Sequence, residues 1–518
     1  MEVISTDLAI IGGGTAGCMA SYEARKQGID SVVIEKAKVR RSGCLAPGVN
    51  AIYSYLHDGE DPENYYEFVR FQGMGLARKD LALSMIKETP YAVKILEDYG
   101  LPVLYERQGR FGMRIYGEHI KPILADIARE SAENIIERAY SFEIAVNGGK
   151  ASGVYVFDLK NEDVLFVKAK AVLIASGGAS GLYRNYTVPW YPPANAGTGY
   201  ALAIRSGAEI EGFEFRFIPP RIKDVNSPIG VTAVGFSAPL VNSDGEEFMK
   251  TRYAEFGGET APIAIRALAP SKEYMEGRFP VYINTEKITE EQKERLIKLY
   301  LNAWPMFYLF IHARGIDFAE RMLEVIPCEP YISGSHTVAG IWVDGNRMTS
   351  IKNLFAAGDA AGGVPLKHVG GALAEGIIAA RTASQISGNG ITYTPEEKTP
   401  EFGDYSWKDA EERMQTVLDQ YAGGISRYYV YNEHSAKVAV SEIVHLQSLD
   451  LGGRAVRVLE TYDRLTVARV MLEHMIERKE TRMPPFQMRS DYPGLSNSNY
   501  ILVSRFDGSR FTFRRDYV

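Results

Sequence analysis

Two periods of hydrophobicity run along the chain and divide it. Leu8, Ala9, Ile10 and Ile11 form a short unbroken apolar run, as a strand buried on both faces does. Glycines follow, then helical spacing, then the run SVVIE ending at Glu35, so residues 7–35 predict strand, turn, helix and second strand. Residues 64–99 carry apolar positions three and four apart, interrupted by Gly73, Gly75 and Pro90, which predicts two or three helices. A hairpin-like excursion is predicted over 101–115 and an amphipathic helix over 117–130. Strand patterns over 135–143, 153–158 and 163–167 predict a small antiparallel insert, and AVLIASGG at 171–178 predicts a second buried strand ending in paired glycines. Residues 195–199 open a further helix. From 211 to about 330 the pattern changes to mixed strands and loops carrying Arg216, Arg221, Lys223, Arg252, Arg266 and Arg278, read as a separate substrate or lid domain. LFAAGD at 354–359 predicts a third strand leading to glycines, and 368–383 a helix with a glycine-rich start, so the chain returns to its first domain. Residues 387–405 read as a linker, 406–479 as helical, and the tail alternates like a strand in RFTFRRDYV.

Composition narrows the function classes more than the fold. At 518 residues the prior is about three domains, and 46% hydrophobic with 24% charged residues suits a globular chain with large cores. The formal charge of -7 gives no general attraction to nucleic acid or anionic lipid, so an anion site must be local. No run approaches the roughly 18 to 20 apolar residues of a membrane span, and Met1 leads almost directly into the first strand without room for a signal peptide. A cytoplasmic protein is expected. Cys18, Cys44 and Cys328 lie far apart with no C-x-x-C spacing, which favours buried or incidental thiols over a disulfide framework or an iron–sulfur cluster held within this chain.

The candidate chemistry starts at Gly12, Gly14 and Gly17, a G-x-G-x-x-G at the mouth of a helix. There the backbone turns tightly and approaches a pyrophosphate held by helix N-terminal amides, so the anion needs no side chain. Glu35 ends the second strand 21 residues beyond Gly14, where a carboxylate accepts hydrogen bonds from ribose hydroxyls. An ordinary glycine turn would use the same three residues; the two strands and the acid in register favour a dinucleotide. NAD, NADP and FAD all fit this stretch alone. The glycine-containing segment after Glu35 reads as a cofactor-lining loop.

GGGTAG near the start, ASGGASGLYR in the middle and NLFAAGDAAGG followed by GGALAEG near the end together resemble the FAD-containing subunits of the fumarate reductase and succinate dehydrogenase flavoprotein superfamily. The resemblance covers nearly the whole chain in order. Stretches at 216–230, 262–268, 273–283, 334–345 and 480–494 look nearer to the alpha subunits of dissimilatory adenylylsulfate reductases than to fumarate reductases. The resemblance implies an α/β fold: a Rossmann-like FAD-binding domain over 1–215 and 331–386, an inserted α+β capping domain over 216–330, a linker over 387–405, a C-terminal helical domain over 406–480 and a tail over 481–518. It implies FAD on Gly12, Gly14, Gly17, Glu35, Lys36, Ser42, Gly43, Gly177, Gly178, Gly358, Asp359 and Glu375. Superfamily members that attach FAD covalently carry a histidine in an R-S-H-T segment where this chain reads Arg41-Ser42-Gly43, so non-covalent FAD is expected.

For catalysis the resemblance points to His336 in a Ser-His-Thr turn, to Arg266, to Lys367 beside His368, and to Glu118 in GEHIKP. A guanidinium at Arg266 suits a carboxylate, sulfate or phosphate, though a surface salt bridge would use the same residue. Glu118 reads equally well as a carboxylate favoured by a helix dipole. Ala261 stands where fumarate reductases need a proton-donating arginine, while Thr232 and Tyr53 replace an aromatic and an asparagine of the adenylylsulfate enzymes. The expected activity is reduction, at flavin N5, of a small anion such as adenylylsulfate or a related compound, with electrons from a separate ferredoxin-like iron–sulfur subunit. A reductase or dehydrogenase of an unsaturated acid and a non-catalytic flavin electron carrier are the alternatives. The chain also reads as shorter than the alpha subunits it resembles.

Overall fold

The computed structural model describes the chain except residues 47–50, 55–60, 108–111, 117–118, 187–191, 193, 219–220, 226–237, 317–321, 387–392 and 483–486. Its organising layer is a seven-stranded sheet. The order is Asn134–Glu137, Ser31–Glu35, Glu2–Ile11, Val164–Ile174, Lys150–Asp158, Ala139–Asn147, with Leu354–Ala356 also paired to Val164–Ile174. Leu8 to Ile11 pair in parallel with Ser31 to Ile34 on one side and with Ala171 to Ile174 on the other. That central position explains the unbroken apolar run, because both faces are covered.

Two predicted segments, 163–167 and 171–174, are one strand of 11 residues. Lys168 and Lys170 look like a break, yet they are spaced by two and share one half-buried face, so the pleat continues through them. The N-terminal half of this strand pairs antiparallel with Gly153–Phe157, and the C-terminal half pairs in parallel with Leu354–Ala356. The expected small insert is thus an extension of the cofactor sheet. Over 64–99 there are two helices, Pro62–Gln72 and Lys79–Asp98, separated at Gly73 and Gly75; Pro90 lies inside the second without ending it. Asp61 caps the first, its carboxylate accepting from the Glu63 amide at 3.0 Å.

The glycine-loop helix Thr15–Lys26 lies against His368–Ala383. A β-carbon at Gly376 would sit 2.2 Å from the Ala16 carbonyl oxygen, so the two backbones touch where a side chain would keep them apart. The cap has its own four-stranded antiparallel sheet, Arg221–Ile222, Met322–Ile326, Val281–Asn284 and Leu240–Val241, and a separate core around Phe248, Leu296 and Val325. The C-terminal helices Trp407–Tyr421, Glu433–Gln447 and Ala455–Glu477 share one core with Tyr200 and Leu202 of the cofactor domain. The alternating tail is the hairpin Tyr500–Phe506 and Phe511–Tyr517, which joins Ile210–Glu211 and Gly340–Ile341 in a further sheet. Among the described residues no helix is long and apolar enough to cross a membrane.

Candidate functional site

The nucleotide end is shaped by backbone. Gly12 has φ +106°, and a β-carbon there would lie 2.6 Å from the Ala175 carbonyl oxygen; one at Gly17 would lie 1.9 Å from the Gly12 oxygen. Neither turn admits a side chain. Gly14 precedes Thr15–Lys26, a helix with no side-chain cap and no acidic residue in its first turn, so its terminal amides and dipole remain available to an anion. Glu35 is buried, accepting from the Gly13 amide at 2.9 Å and the Ala37 amide at 2.8 Å, which fixes the carboxylate against the loop while leaving lone pairs for hydroxyl donors. Lys36 turns instead to Glu460 on the helical domain, at 2.7 Å.

The remaining predicted cofactor residues converge on the same crevice. Gly43, at φ +76°, lies against Gly14, and Gly178 packs on the backbone of Ile332 and Ser333. Ser333 donates to Asp359 Oδ2 at 3.0 Å, and Gly358, at φ +68°, packs on Ala16. Gly177 takes φ +81° beside Asn195. The buried hydroxyls of Ser42 and Ser176 have no hydrogen-bond partner among the described residues, although buried hydroxyls are ordinarily paired. A cradle of glycines, a capless helix start and two waiting hydroxyls fit an extended dinucleotide.

Glu375 and Lys367 take a different place from the rest. Glu375 is fully buried and accepts the Gly358 amide at 2.9 Å, with Lys367 Nζ at 3.2 Å and Arg347 Nε at 3.3 Å from its oxygens. Lys367 Nζ also donates to the carbonyls of Gly358 and Ala361 at 3.1 and 2.6 Å. Its charge is therefore spent beneath the 358–361 turn. The flanking Leu366 and His368 have φ of +60° and +47°, a left-handed strain for bulky residues that the surrounding contacts sustain. Burial lowers the Lys367 ammonium from its ordinary range, with Glu375 opposing the shift.

His336, expected to face substrate, is half-buried in an aromatic box. Phe217 stacks on it at 4.5 Å, His368 meets it edge-on at 5.2 Å, and the Tyr331 hydroxyl lies 3.1 Å from Nδ1. The His368 amide donates to Ser335 at 2.7 Å, tying the histidine turn to the start of the glycine-rich helix. Loss of water around the ring, and then His368, push the His336 imidazole well below 6.5; burial alone brings His368 to about 4. Both rings are neutral at pH 7. Arg266 lies on the cap helix Ile263–Met275, where its Nε donates to the Ala261 carbonyl at 3.1 Å. The next residues, Ala267 and Leu268, share a buried cluster with Phe217 and Tyr331, so this helix abuts the wall around His336. Glu118 and Thr232 lie outside the described residues, and nothing is described of the Tyr53 side chain.

Sequence reasoning passed over three buried cations. Lys121, three residues after Glu118, donates from Nζ to the Gly13 carbonyl at 2.6 Å. Arg347 reaches the Leu81 carbonyl at 3.0 Å as well as Glu375. Arg221, noted only as one of several basic residues, is buried with Nη2 at 3.3 Å from Asn185 Oδ1 and 3.7 Å from Glu329. Lys121 is in the first turn of the helix Ile120–Ser131, Arg347 in a turn and Arg221 on a short strand, and a lone cation at such a place does not reveal which way it points; the one available hint was the proximity of Lys121 to an already noted motif.

Residues 7–371 match the FAD binding domain family. The chain is 31% identical to the adenylylsulfate reductase of Archaeoglobus fulgidus, whose structure matches 100% of this chain and 96% of its own with a TM-score of 0.90. A structure of adenosine-5-phosphosulfate reductase in complex with sulfite as a covalent adduct gives the same identity and coverages with a TM-score of 0.91. The adenylylsulfate reductase subunit alpha of Megalodesulfovibrio gigas is 28% identical over 98% of this chain and 94% of its own. That comparison spans 633 positions, more than this chain possesses, so the relative carries segments absent here. The family match over residues 7–371 and the whole-length likeness establish that the chain belongs to the FAD-binding flavoprotein oxidoreductase family that contains the fumarate reductases and adenylylsulfate reductase alpha subunits.

Proposed function

We propose that this chain is the FAD-bearing subunit of a reductase acting on a small anionic sulfur substrate, adenylylsulfate or a related compound, with electrons from a separate iron–sulfur subunit. The observation that carries the reading is the neutral His336 in its aromatic box beside the cap helix of Arg266, in a chain similar from end to end to adenylylsulfate reductases. FAD, held without a covalent bond past the glycine at position 43, supplies the electrons and the reactive N5 position. Glu35 and the glycine loops hold its nucleotide half; Ser42 and Asp359 line the way to the reactive half, while Lys36 is held by Glu460.

The protein's own part is electrostatic. Burial holds the Tyr331 phenol well above 10, so it keeps its proton, and in this reading it donates to His336 Nδ1, 3.1 Å away. The imidazole proton then resides on Nε2, which donates to an anionic oxygen without adding a full charge. Arg266 supplies that charge from the cap, its guanidinium folded back over Ala261 where fumarate reductases need an arginine. Lys367, below the turn, fixes the backbone that carries Gly358 and Asp359. Glu118 is an additional acid in this reading, and a cytoplasmic site of action accompanies it.

Sulfite titration of the purified flavin-loaded protein tests the proposal. Loss of the oxidised flavin absorbance is the expected result. An unchanged spectrum, with turnover of fumarate-like acids by the reduced protein, would transfer the assignment to reduction of an unsaturated acid.

A further inference from the structure

Glu211 is a buried acid that none of the roles above uses. It sits on the two-residue strand Ile210–Glu211, between Gly340–Ile341 and the C-terminal hairpin, and is wholly inaccessible to solvent. Neither carboxyl oxygen has a hydrogen-bond partner among the described residues. An ionised carboxylate left so is among the costliest buried groups, and the usual escape is to keep the proton. Burial pushes Glu211 up to about 8 against the pull of Arg78, Lys367 and Arg514, with Asp80 adding to the rise. Each cation is already committed: Arg78 to Asp80 and the Val343 carbonyl, Lys367 to Glu375, Arg514 to Glu209.

The carboxyl lies directly against the FAD-binding turn. A β-carbon at Gly362 would be 2.8 Å from Glu211 Oε1, and one at Gly363 would be 3.3 Å from it, so these two glycines leave the space the carboxyl fills. Four residues before Gly362 is Gly358, and between them runs the backbone whose carbonyls hold Lys367. Glu211, Lys367, Glu375 and Arg347 therefore form one buried cluster behind the turn that carries Asp359. With Glu211 protonated its formal charge is +1; with Glu211 ionised it is zero.

We infer that Glu211 is the proton-accepting partner of FAD reduction: as the cofactor gains two electrons, this carboxylate takes one proton from solvent to become a carboxylic acid, and it releases that proton on reoxidation. The electrons come from an iron–sulfur protein in the proposed reaction and from dithionite in the test. The group is a positioning residue that acts through the cluster's charge without touching substrate. Negative charge arriving at the cofactor favours the protonated acid, so proton and electrons move together in the pH range where Glu211 otherwise ionises. The inference requires FAD, not any particular substrate, and it survives failure of the sulfite test.

The experiment is spectroelectrochemical titration of the flavin-loaded wild type and Glu211→Gln between pH 6 and 10. Glutamine copies the protonated acid, so the two midpoint potentials should run parallel below pH 7. Above about pH 8 the wild type should fall away with an added slope of about 30 mV per pH unit, the value for one tenfold change per pH unit in a two-electron couple. Parallel lines over the whole range would overturn the inference. Reduced-minus-oxidised infrared difference spectra of the wild type give a second reading without any variant. A protonated-carboxyl band gained on reduction near pH 8.5 and shifted in heavy water is expected; its absence would also overturn the inference.

Discussion

Replacing Glu211 with glutamine should shift stability in the variant's favour progressively as pH rises. The folded-state pKa is raised, so the folded protein holds a proton that the unfolded chain has already released. Stability is then greatest below the ordinary value of 4.5 and is lost progressively as pH rises toward about 8. Each pH unit in that window is worth about 1.4 kcal/mol, so the loss attributable to this one acid at pH 7 is about 3 kcal/mol. Glutamine does not titrate and escapes the loss. Its amide brings two donors to a place where the carboxyl oxygens have no hydrogen-bond partner among the described residues, a fixed cost of about 1 to 3 kcal/mol that does not vary with pH. The slope of the difference is therefore the informative quantity. Urea unfolding of both proteins, followed by circular dichroism at pH 5, 6, 7 and 8, should show the variant gaining on the wild type by about 1.4 kcal/mol per unit from pH 5 to 7 and levelling near pH 8. A gap that stays constant across pH would mean that Glu211 ionises in the folded state as it does in the unfolded chain, and the charge argument would fall.

Gly17→Ala forces a β-carbon onto the Gly12 carbonyl and should abolish flavin retention; absorbance of the desalted protein reports it. Lys121→Met removes a charged hydrogen bond of roughly 1.5 to 3 kcal/mol from the Gly13 carbonyl, so FAD affinity should fall roughly tenfold to a hundredfold in fluorescence titrations of the apoprotein. Undiminished affinity would reduce Lys121 to a packing role. Tyr331→Phe deletes the hydroxyl 3.1 Å from His336 Nδ1 and, in the proposed reaction, should lower substrate turnover while flavin content stays at the wild-type level.

The cofactor end was legible in the sequence because backbone geometry writes itself there directly. Gly12 and Gly17 are glycines since nothing else fits, and their spacing from Glu35 follows from one strand, one helix and one return strand. Charged side chains leave no such mark, because their direction depends on partners distant in the chain. Lys367 reads as a cation facing substrate until Glu375, eight residues on and one face of a helix away, turns it inward. Glu211 lies in IEGFEF, where two glutamates interrupt an apolar stretch; both are fully buried, and only the tertiary structure separates Glu214, paired with Arg478 at 2.8 Å, from its unpaired neighbour. The break expected between 167 and 171 failed for a related reason, since lysines on one face of a strand resemble a loop when counted without their period.

The inward turn of Lys367 has a consequence for how a substrate anion is met. On the FAD-binding side the cations at 347 and 367 are bound to Glu375 and to backbone carbonyls, and the histidines at 336 and 368 are neutral. In the proposed reaction the positive charge facing the substrate comes from Arg266 on the cap helix Ile263–Met275, which packs on Phe217 and Tyr331 through Ala267 and Leu268. Cap and cofactor domain have separate hydrophobic cores, and one further cluster, with Phe217, Ala267, Leu268 and Tyr331, holds residues of both. In the proposed reaction Arg266 of the cap would meet the anion, while the inferred role of the buried cluster behind the 358–363 turn concerns the cofactor and does not depend on which anion is bound.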